Sequence, residues 1–214
     1  MTDENQLEIN NQKNYNLKKI FLDNKKIFIY SFTLLLLALF SYFFYSDYKK
    51  DIKVKISEKY NLAVINYDKS RPNISIEEMK NIISIKDSTY SPLALYFLLD
   101  NNLLINKDET NTYFDLLINE TNIDDVVKNL LIYKKGLYNS DSANEEELLS
   151  IFKPLINSEN LWKSHSLYII AEYFYSKNEK QKAKEFFEKI LEMEDSNPQI
   201  KIEAQKRLQR DFSV

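Results

Sequence analysis

The pattern of apolar and polar positions divides the chain into one uninterrupted apolar stretch and a long series of segments with helical spacing. Residues 27–45, IFIYSFTLLLLALFSYFFY, contain no charged side chain. As a helix with a rise of about 1.5 Å per residue, this stretch spans roughly 28 Å, which is close to the hydrocarbon thickness of a bilayer. Because all of its faces are apolar, it is unlike the amphipathic core helix of a soluble domain. The stretch predicts a single transmembrane helix.

A cleaved signal peptide is the main alternative for this stretch. The apolar run is too long for one, a polar segment of residues 1–26 precedes it, and no small-x-small cleavage site follows before Asp47. We therefore predict that residues 1–26 form a disordered tail with a lysine flank, and that the span is retained.

The lysines around the span do not decide which side of the membrane each end occupies. Equal numbers lie within about 15 residues on either side, whereas a bias toward one side would mark the cytoplasmic face. They are Lys13, Lys18, Lys19, Lys25 and Lys26 before the span, and Lys49, Lys50, Lys53, Lys55 and Lys59 after it.

Helical spacing then recurs through residues 46–214, so we predict an all-α domain there. After a helix that follows the span, segment pairs are predicted at 91–120, 122–156 and 160–193, with starts near the 34-residue period of tetratricopeptide repeats. A closing helix at 198–212, with a charged outer face, would cap the last pair.

Local signals predict where some of these helices begin and end. Ser75 with Glu78, and Ser142 with Glu145, have the spacing of capping boxes. Pro154 is expected to end or kink its helix.

The last pair fits the repeat pattern position by position. Large, small and aromatic residues occupy the required places in the first helix, and an alanine and a phenylalanine occupy those in the second. Small residues let two helices approach closely, while rings fill the groove between them. We predict that six residues carry this packing: Leu167, Ile170, Ala171, Phe174, Ala183 and Phe187. The alternative is an amphipathic hairpin that matches the pattern by chance.

The composition argues against several classes of protein. A single glycine, Gly136, excludes phosphate-binding loops and dinucleotide fingerprints, which need several glycines at fixed spacing. The absence of cysteine removes disulfides, thiolate zinc sites and cysteine nucleophiles. A net charge of −3, without a basic cluster outside the membrane flanks, argues against nucleic acid as a partner. No small-molecule substrate or cofactor is indicated.

Few residues suggest chemistry. His165, the only histidine, lies between Ser164 and Ser166, but adjacent helical positions point about 100° apart, so no catalytic pair is expected. No catalytic, cofactor-binding or metal site is predicted. Trp162 is a candidate peptide anchor and otherwise a core residue. Three tyrosines, Tyr168, Tyr173 and Tyr175, are likewise candidates for either peptide contact or packing.

The whole layout resembles the inner-membrane tetratricopeptide-like proteins related to the ancillary subunit of the bacterial Sec translocon. The resemblance rests on the lysine-flanked span at 25–45, on NLWKSHSLYIIAEYFYSKNEKQKAKEFFEKI at 160–190, and on NPQIKIEAQKRL at 197–208. It implies a cytoplasmic N-terminal tail, a single pass through the inner membrane and a C-terminal domain in the periplasm. It also implies the Sec translocon and periplasmic chaperones as partners, and it transfers no residue-level binding site.

Two functions stay open at this point. The first is a non-enzymatic, membrane-anchored interaction module facing the periplasm, where the membrane raises the effective concentration of the domain for its partners. The second is a scaffold for cell-envelope or division assembly with the same fold, facing the cytoplasm. The partner, the oligomeric state and the binding groove are not specified by the sequence.

Overall fold

The computed structural model describes residues 24–212, and over that range the chain consists of nine α-helices without a strand. The predicted all-α class is confirmed for this part of the chain. The predicted disordered tail lies outside the described residues, except for its last positions, where the first helix has already begun. The helices are α1 (Lys25–Ile65), α2 (Asn73–Ser84), α3 (Tyr90–Asp100), α4 (Lys107–Glu120), α5 (Asp125–Asn139), α6 (Glu145–Ile156), α7 (Lys163–Ser176), α8 (Lys180–Glu192) and α9 (Pro198–Asp211).

The chain divides into two compact units, one up to Lys55 and the other from Ile56 onward. In the first unit, residues 27–45 lie within α1 and all of their side chains are exposed. Among the described residues, α1 is the one helix long and apolar enough to cross a membrane; its most apolar 18-residue window has a mean hydropathy of 2.2 and no buried residue. The described part of the chain therefore has one candidate membrane-spanning helix, near the N-terminus.

In the second unit, the last turns of α1 pack against α2 and α3. Ile56 and Ala63 are buried there, and the Ser75 hydroxyl donates a hydrogen bond of 3.0 Å to the Ala63 carbonyl oxygen. The ring of Tyr60 lies 5.7 Å from that of Tyr90, measured between centroids.

Neither predicted capping box forms. Ser75 lies inside α2 and bonds to α1 instead, and α2 begins after Pro72 without a side-chain cap. The Ser142 hydroxyl accepts a hydrogen bond from Lys107, while Asn144, two residues later, caps α6 in a reciprocal box with Glu147. Asparagine is as good an N-cap as serine. Both Ser142 and Asn144 have a glutamate of the 145–147 run three residues later, so either could have formed the box.

Pro154 lies within α6 but does not end it at that position. The helix continues to Ile156, and the Ser158 hydroxyl donates to the Pro154 carbonyl oxygen at 2.7 Å. Pro154 has no N–H to donate to the Ser150 carbonyl oxygen, and α6 ends two residues after it.

The helices pair differently from the prediction for 91–120. Helix α3 packs extensively on α2 and only slightly on α4. Lys86 adopts a positive φ of 59° in the short α2–α3 connection, and the Ser91 hydroxyl donates to the Ile82 carbonyl oxygen at 2.6 Å. Helix α4 packs instead on α5, where Asn111 and Asn139 exchange two side-chain hydrogen bonds of 3.1 and 2.8 Å.

Three antiparallel hairpins, α2–α3, α5–α6 and α7–α8, have the same internal register. In each, a buried position in the first helix is followed by a buried position twelve residues later and another four residues after that. The three sets are Ile82, Ala94 and Leu98; Gly136, Leu148 and Phe152; and Ala171, Ala183 and Phe187. The last two sets are 35 positions apart throughout (136 to 171, 148 to 183, 152 to 187). The first set is further away because α4 is inserted.

Candidate functional site

The six predicted packing residues of the last hairpin are all buried. Leu167 retains the most exposure, at 6%, and the two alanines, Ala171 and Ala183, have none. The ring of Phe174 stacks on that of Phe186 at 5.5 Å, so aromatic side chains fill the space between α7 and α8. Both helices therefore approach closely at the alanines, and these residues contribute to the core and not to the surface.

Trp162 joins α7 to α5 through an aromatic cluster. Its ring stacks on Tyr133 with centroids 4.8 Å apart, and His165 lies 5.3 Å from it. All three residues are half-buried. Burial lowers the pKa of His165 from its ordinary value of 6.5, and a hydrogen bond with the Leu161 backbone opposes this shift in part. The environment therefore favours the neutral imidazole.

The three candidate tyrosines point into three different contacts. Tyr168 meets the edge of Phe187 at 5.5 Å, and burial, reinforced by Glu172, raises the pKa of Tyr168 to about 12. Tyr173 packs on its neighbour Phe174. Tyr175 lies against Phe212, beyond the end of α9. The structure does not bring Trp162 and these tyrosines together on one face.

An ionic network holds α9 on α7. The Arg207 guanidinium donates two hydrogen bonds to the Glu172 carboxylate, at 2.6 and 2.8 Å, and a third to Asp211. It also lies 4.3 Å from the centre of the Tyr175 ring. Only 13% of the Arg207 side chain is exposed, so this group is a structural clamp.

A shallow groove lies along α6 and α8. The two helices run in parallel with an offset of 37 residues, which is set at one end by the Lys182 ammonium on both carboxylate oxygens of Glu145, each at 2.9 Å. Toward the other end, Ile156 and Met193 line the same cavity.

The groove contains two adjoining cavities that share Ile156. One has a volume of about 390 Å³ and is lined by both helices and by α7; the other, about 710 Å³, is open along α6. The apolar residues of the first cavity include Ile156, Phe186 and Met193, and those of the second are Leu149 and Ile156. We call this set, with Leu167 at its floor, the α6–α8 groove.

Charged side chains of both signs border the groove. Lys153 on α6 and Lys189 on α8 each line one cavity, and neither has a carboxylate partner among the described residues. Glu146 lines the same cavity as Lys153, and Glu192 the same cavity as Lys189. The Lys189 ammonium lies 4.6 Å from the centre of the Phe186 ring.

The groove was not predicted from the sequence. The core stripe of α6 is Leu148, Phe152 and Leu155, and that of α8 is Ala183, Phe187 and Ile190. The apolar residues of the groove lie outside these two stripes, but they are partly buried and pack against the core. A sequence pattern therefore does not distinguish them from ordinary core residues.

The two serines beside His165 have different surroundings. The Ser164 hydroxyl accepts a hydrogen bond from the Asn197 backbone N–H at 3.3 Å, and Ser166 is fully buried. Within residues 24–212, no three histidine, cysteine or acidic side chains are grouped so that they could hold a metal ion.

Over residues 24–212, the fold is all-helical and includes one candidate membrane-spanning helix. Comparison of the chain with family models, with curated proteins and with solved structures found no match.

Proposed function

We propose that the protein is a single-pass membrane protein whose helical domain binds other proteins. The observation that carries this proposal is the stretch 27–45, which is helical, apolar on every face and without one buried side chain. Exposing so much apolar surface to water would cost about 25 cal/mol per Å². A bilayer removes this cost, because the stretch has the length of its hydrocarbon core.

The helical domain is proposed to be a tetratricopeptide-like α-solenoid. The shared register of the three hairpins supports this, since small residues recur at the close-approach positions Ala94, Gly136, Ala171 and Ala183. Contacts between alternate helices, α5 with α7 and α7 with α9, also support it, because stacked repeats bury their faces on their neighbours. Helix α4 is then an insertion between the first and second repeats.

We propose binding and not catalysis as the role of this domain. Its concave surface at the α6–α8 groove is apolar with a charged border, as in grooves that accept peptides. Its polar residues with shifted pKa values, such as Tyr168 and His165, are accounted for by packing.

The proposed partners follow from the resemblance to ancillary Sec translocon subunits. In this proposal, the N-terminus is cytoplasmic, the span crosses the inner membrane once, and the helical domain meets the translocon, periplasmic chaperones or emerging chains in the periplasm. The balanced lysines favour a second candidate equally: a cytoplasm-facing scaffold for envelope or division assembly.

A reporter enzyme that is active only outside the cytoplasm, fused after Val214, distinguishes a periplasmic domain from a cytoplasmic one. Activity equal to that of a known exported fusion is expected, and activity only in a cytoplasmic reporter would overturn the periplasmic assignment. Crosslinking in intact membranes then tests the partners. Adducts with translocon subunits or secreted chains are expected, and adducts that lack both would overturn the Sec-linked role.

A further inference from the structure

One face of α1 carries two tyrosines and two lysines at the point where the helix leaves the apolar stretch 27–45. Its residues are Tyr42, Tyr45, Lys49 and Lys53, and all four side chains are exposed. They follow one another at intervals of three or four positions, so they lie on the same side of the helix. All four belong to the first compact unit of the chain. We call this set the tyrosine–lysine face.

With residues 27–45 across a bilayer, the tyrosine–lysine face lies at the depth of the lipid headgroups. Lys49 is about 6 Å and Lys53 about 12 Å beyond Tyr45 along α1, at the helical rise. The headgroup layer is about 5–8 Å thick on each side of the hydrocarbon core. Because a lysine side chain can extend along the helix while its ammonium group stays in a polar layer, both lysines come within reach of lipid phosphates.

The side chains in this part of α1 are directed back toward the bilayer. In an α-helix each Cα–Cβ bond tilts toward the N-terminus of the helix, so residues that follow a span lean toward it. Accordingly, the Lys49 ammonium lies 4.7 Å from the centre of the Tyr45 ring, one turn earlier. By the same rule, the Cα–Cβ bonds of Lys25 and Lys26, which precede the span, tilt away from it. The lysines at the two ends of the span are therefore not equivalent.

No acidic residue of the described part of the first unit lies on the tyrosine–lysine face. The acids there are Asp47 and Asp51. Each is two positions from a lysine of the face, which places it about 160° around the helix. Asp47 lies 3.6 Å from the Lys50 ammonium. In contrast, Lys49 and Lys53 have no carboxylate within ion-pair distance among residues 24–212. The positive charge of this face is therefore not compensated.

We propose that the tyrosine–lysine face binds the headgroup of an anionic phospholipid in the leaflet where α1 emerges. This rests on the proposed membrane span, and it names the class of lipid that the span selects. Both lysines donate charge-assisted hydrogen bonds to phosphate oxygens, while the tyrosine rings lie at the boundary between headgroups and acyl chains. A zwitterionic lipid has the same phosphate but carries a cation beside it, so the lysines attract it less.

Native mass spectrometry of the full chain tests the proposal in micelles that contain equal amounts of phosphatidylglycerol and phosphatidylcholine. The wild-type protein is expected to retain phosphatidylglycerol roughly tenfold more often, because each lysine near an anionic lipid adds to the attraction. Equal retention of the two lipids would overturn the proposal. Glycerol phosphate in large excess is expected to leave lipid retention unchanged, and displacement of the lipid would assign the face to a soluble phosphate instead.

Two matched pairs of substitutions locate the site. Lys49→Gln with Lys53→Gln removes both lysines of the face and is expected to abolish the preference for phosphatidylglycerol. Lys50→Gln with Lys55→Gln makes the same change of charge in the same turns of α1, outside the face, and is expected to keep the preference. An equal loss in both pairs would attribute the preference to general surface charge and contradict a site on this face.

Alkaline extraction of membranes distinguishes failure of this proposal from failure of the membrane assignment. A wild-type protein that stays in the membrane fraction but shows no lipid preference contradicts the lipid site alone. A wild-type protein that is extracted contradicts the span itself, and with it the position of the tyrosine–lysine face at the headgroups.

Discussion

Gly136 on α5 lies directly against the ring of Phe152 on α6. A Cβ atom added at Gly136 would come within 2.1 Å of the Phe152 Cζ atom and within 2.7 Å of two further ring atoms. Phe152 is completely buried, so its ring has no free space to enter. The only glycine of the chain thus lies where a side chain would meet the Phe152 ring, at the position that Ala171 occupies in the next hairpin.

We predict that Gly136→Ala destabilises the protein. Overpacking costs about 1–3 kcal/mol, and the better helix propensity of alanine returns only about 1 kcal/mol. A net loss of about 1–2 kcal/mol in the free energy of unfolding is expected. Chemical unfolding of the full chain in detergent, followed by circular dichroism, measures it.

The double variant with Phe152→Leu provides the control. The smaller side chain leaves room for the new methyl group, so the double variant is expected to lose less stability than the sum of the two single variants. Additive losses would contradict the proposed contact.

Much of the architecture was predictable because it depends on local sequence pattern. The apolar stretch 27–45 and the periods of α5 to α9 reflect which faces avoid water, and this information lies within each segment. Ala171 and Ala183 are both fully buried.

What the sequence did not reveal depends on contacts between segments. The apolar residues of α3 did not indicate whether it packs on α2 or on α4. The tight turn at Lys86 and the hydrogen bond of Ser91 to the Ile82 carbonyl oxygen hold it on α2. The role of Gly136 could not be predicted, since it depends on a ring 16 positions later. The absence of a carboxylate partner for Lys153 and Lys189 could not be predicted either, since it depends on which residues the fold brings near them.

We predict that Arg207 stabilises the packing of α9 on α7. Arg207→Lys keeps the charge but loses the two-pronged bond to Glu172 and the stacking on Tyr175. We expect a loss of about 1–2 kcal/mol, seen as faster hydrogen exchange of the α9 backbone amides. Lys206→Ala, which removes a lysine that is 64% exposed, serves as the control and should change little. Equal effects of the two changes would argue against the clamp.

The single histidine gives the protein a defined pH response. Burial lowers the pKa of His165, so the unfolded chain binds this proton more readily than the folded protein does. Stability from this group is therefore complete above the ordinary pKa of 6.5 and decreases as the pH falls below it. The midpoint of chemical unfolding is expected to be lower at about pH 6.0 than at about pH 7.5.

His165→Gln is expected to reduce this difference, because it removes the only imidazole in the chain. Nuclear magnetic resonance of the wild-type imidazole protons provides a direct measurement. A pKa at or above 6.5 in the folded protein would contradict the effect of burial.

The membrane anchor makes a prediction that does not depend on any partner. Leu35 and Leu36 lie near the middle of the apolar stretch, where each arginine adds about 2.5–3.5 kcal/mol to the cost of insertion. The variant Leu35→Arg and Leu36→Arg is therefore expected to leave the membrane fraction on alkaline extraction, whereas the wild-type protein stays there. Leu62→Arg makes the same exchange at a residue of the second unit that is 58% exposed, and it should stay in the membrane. Retention of the double variant would show that another part of the chain holds the protein at the bilayer.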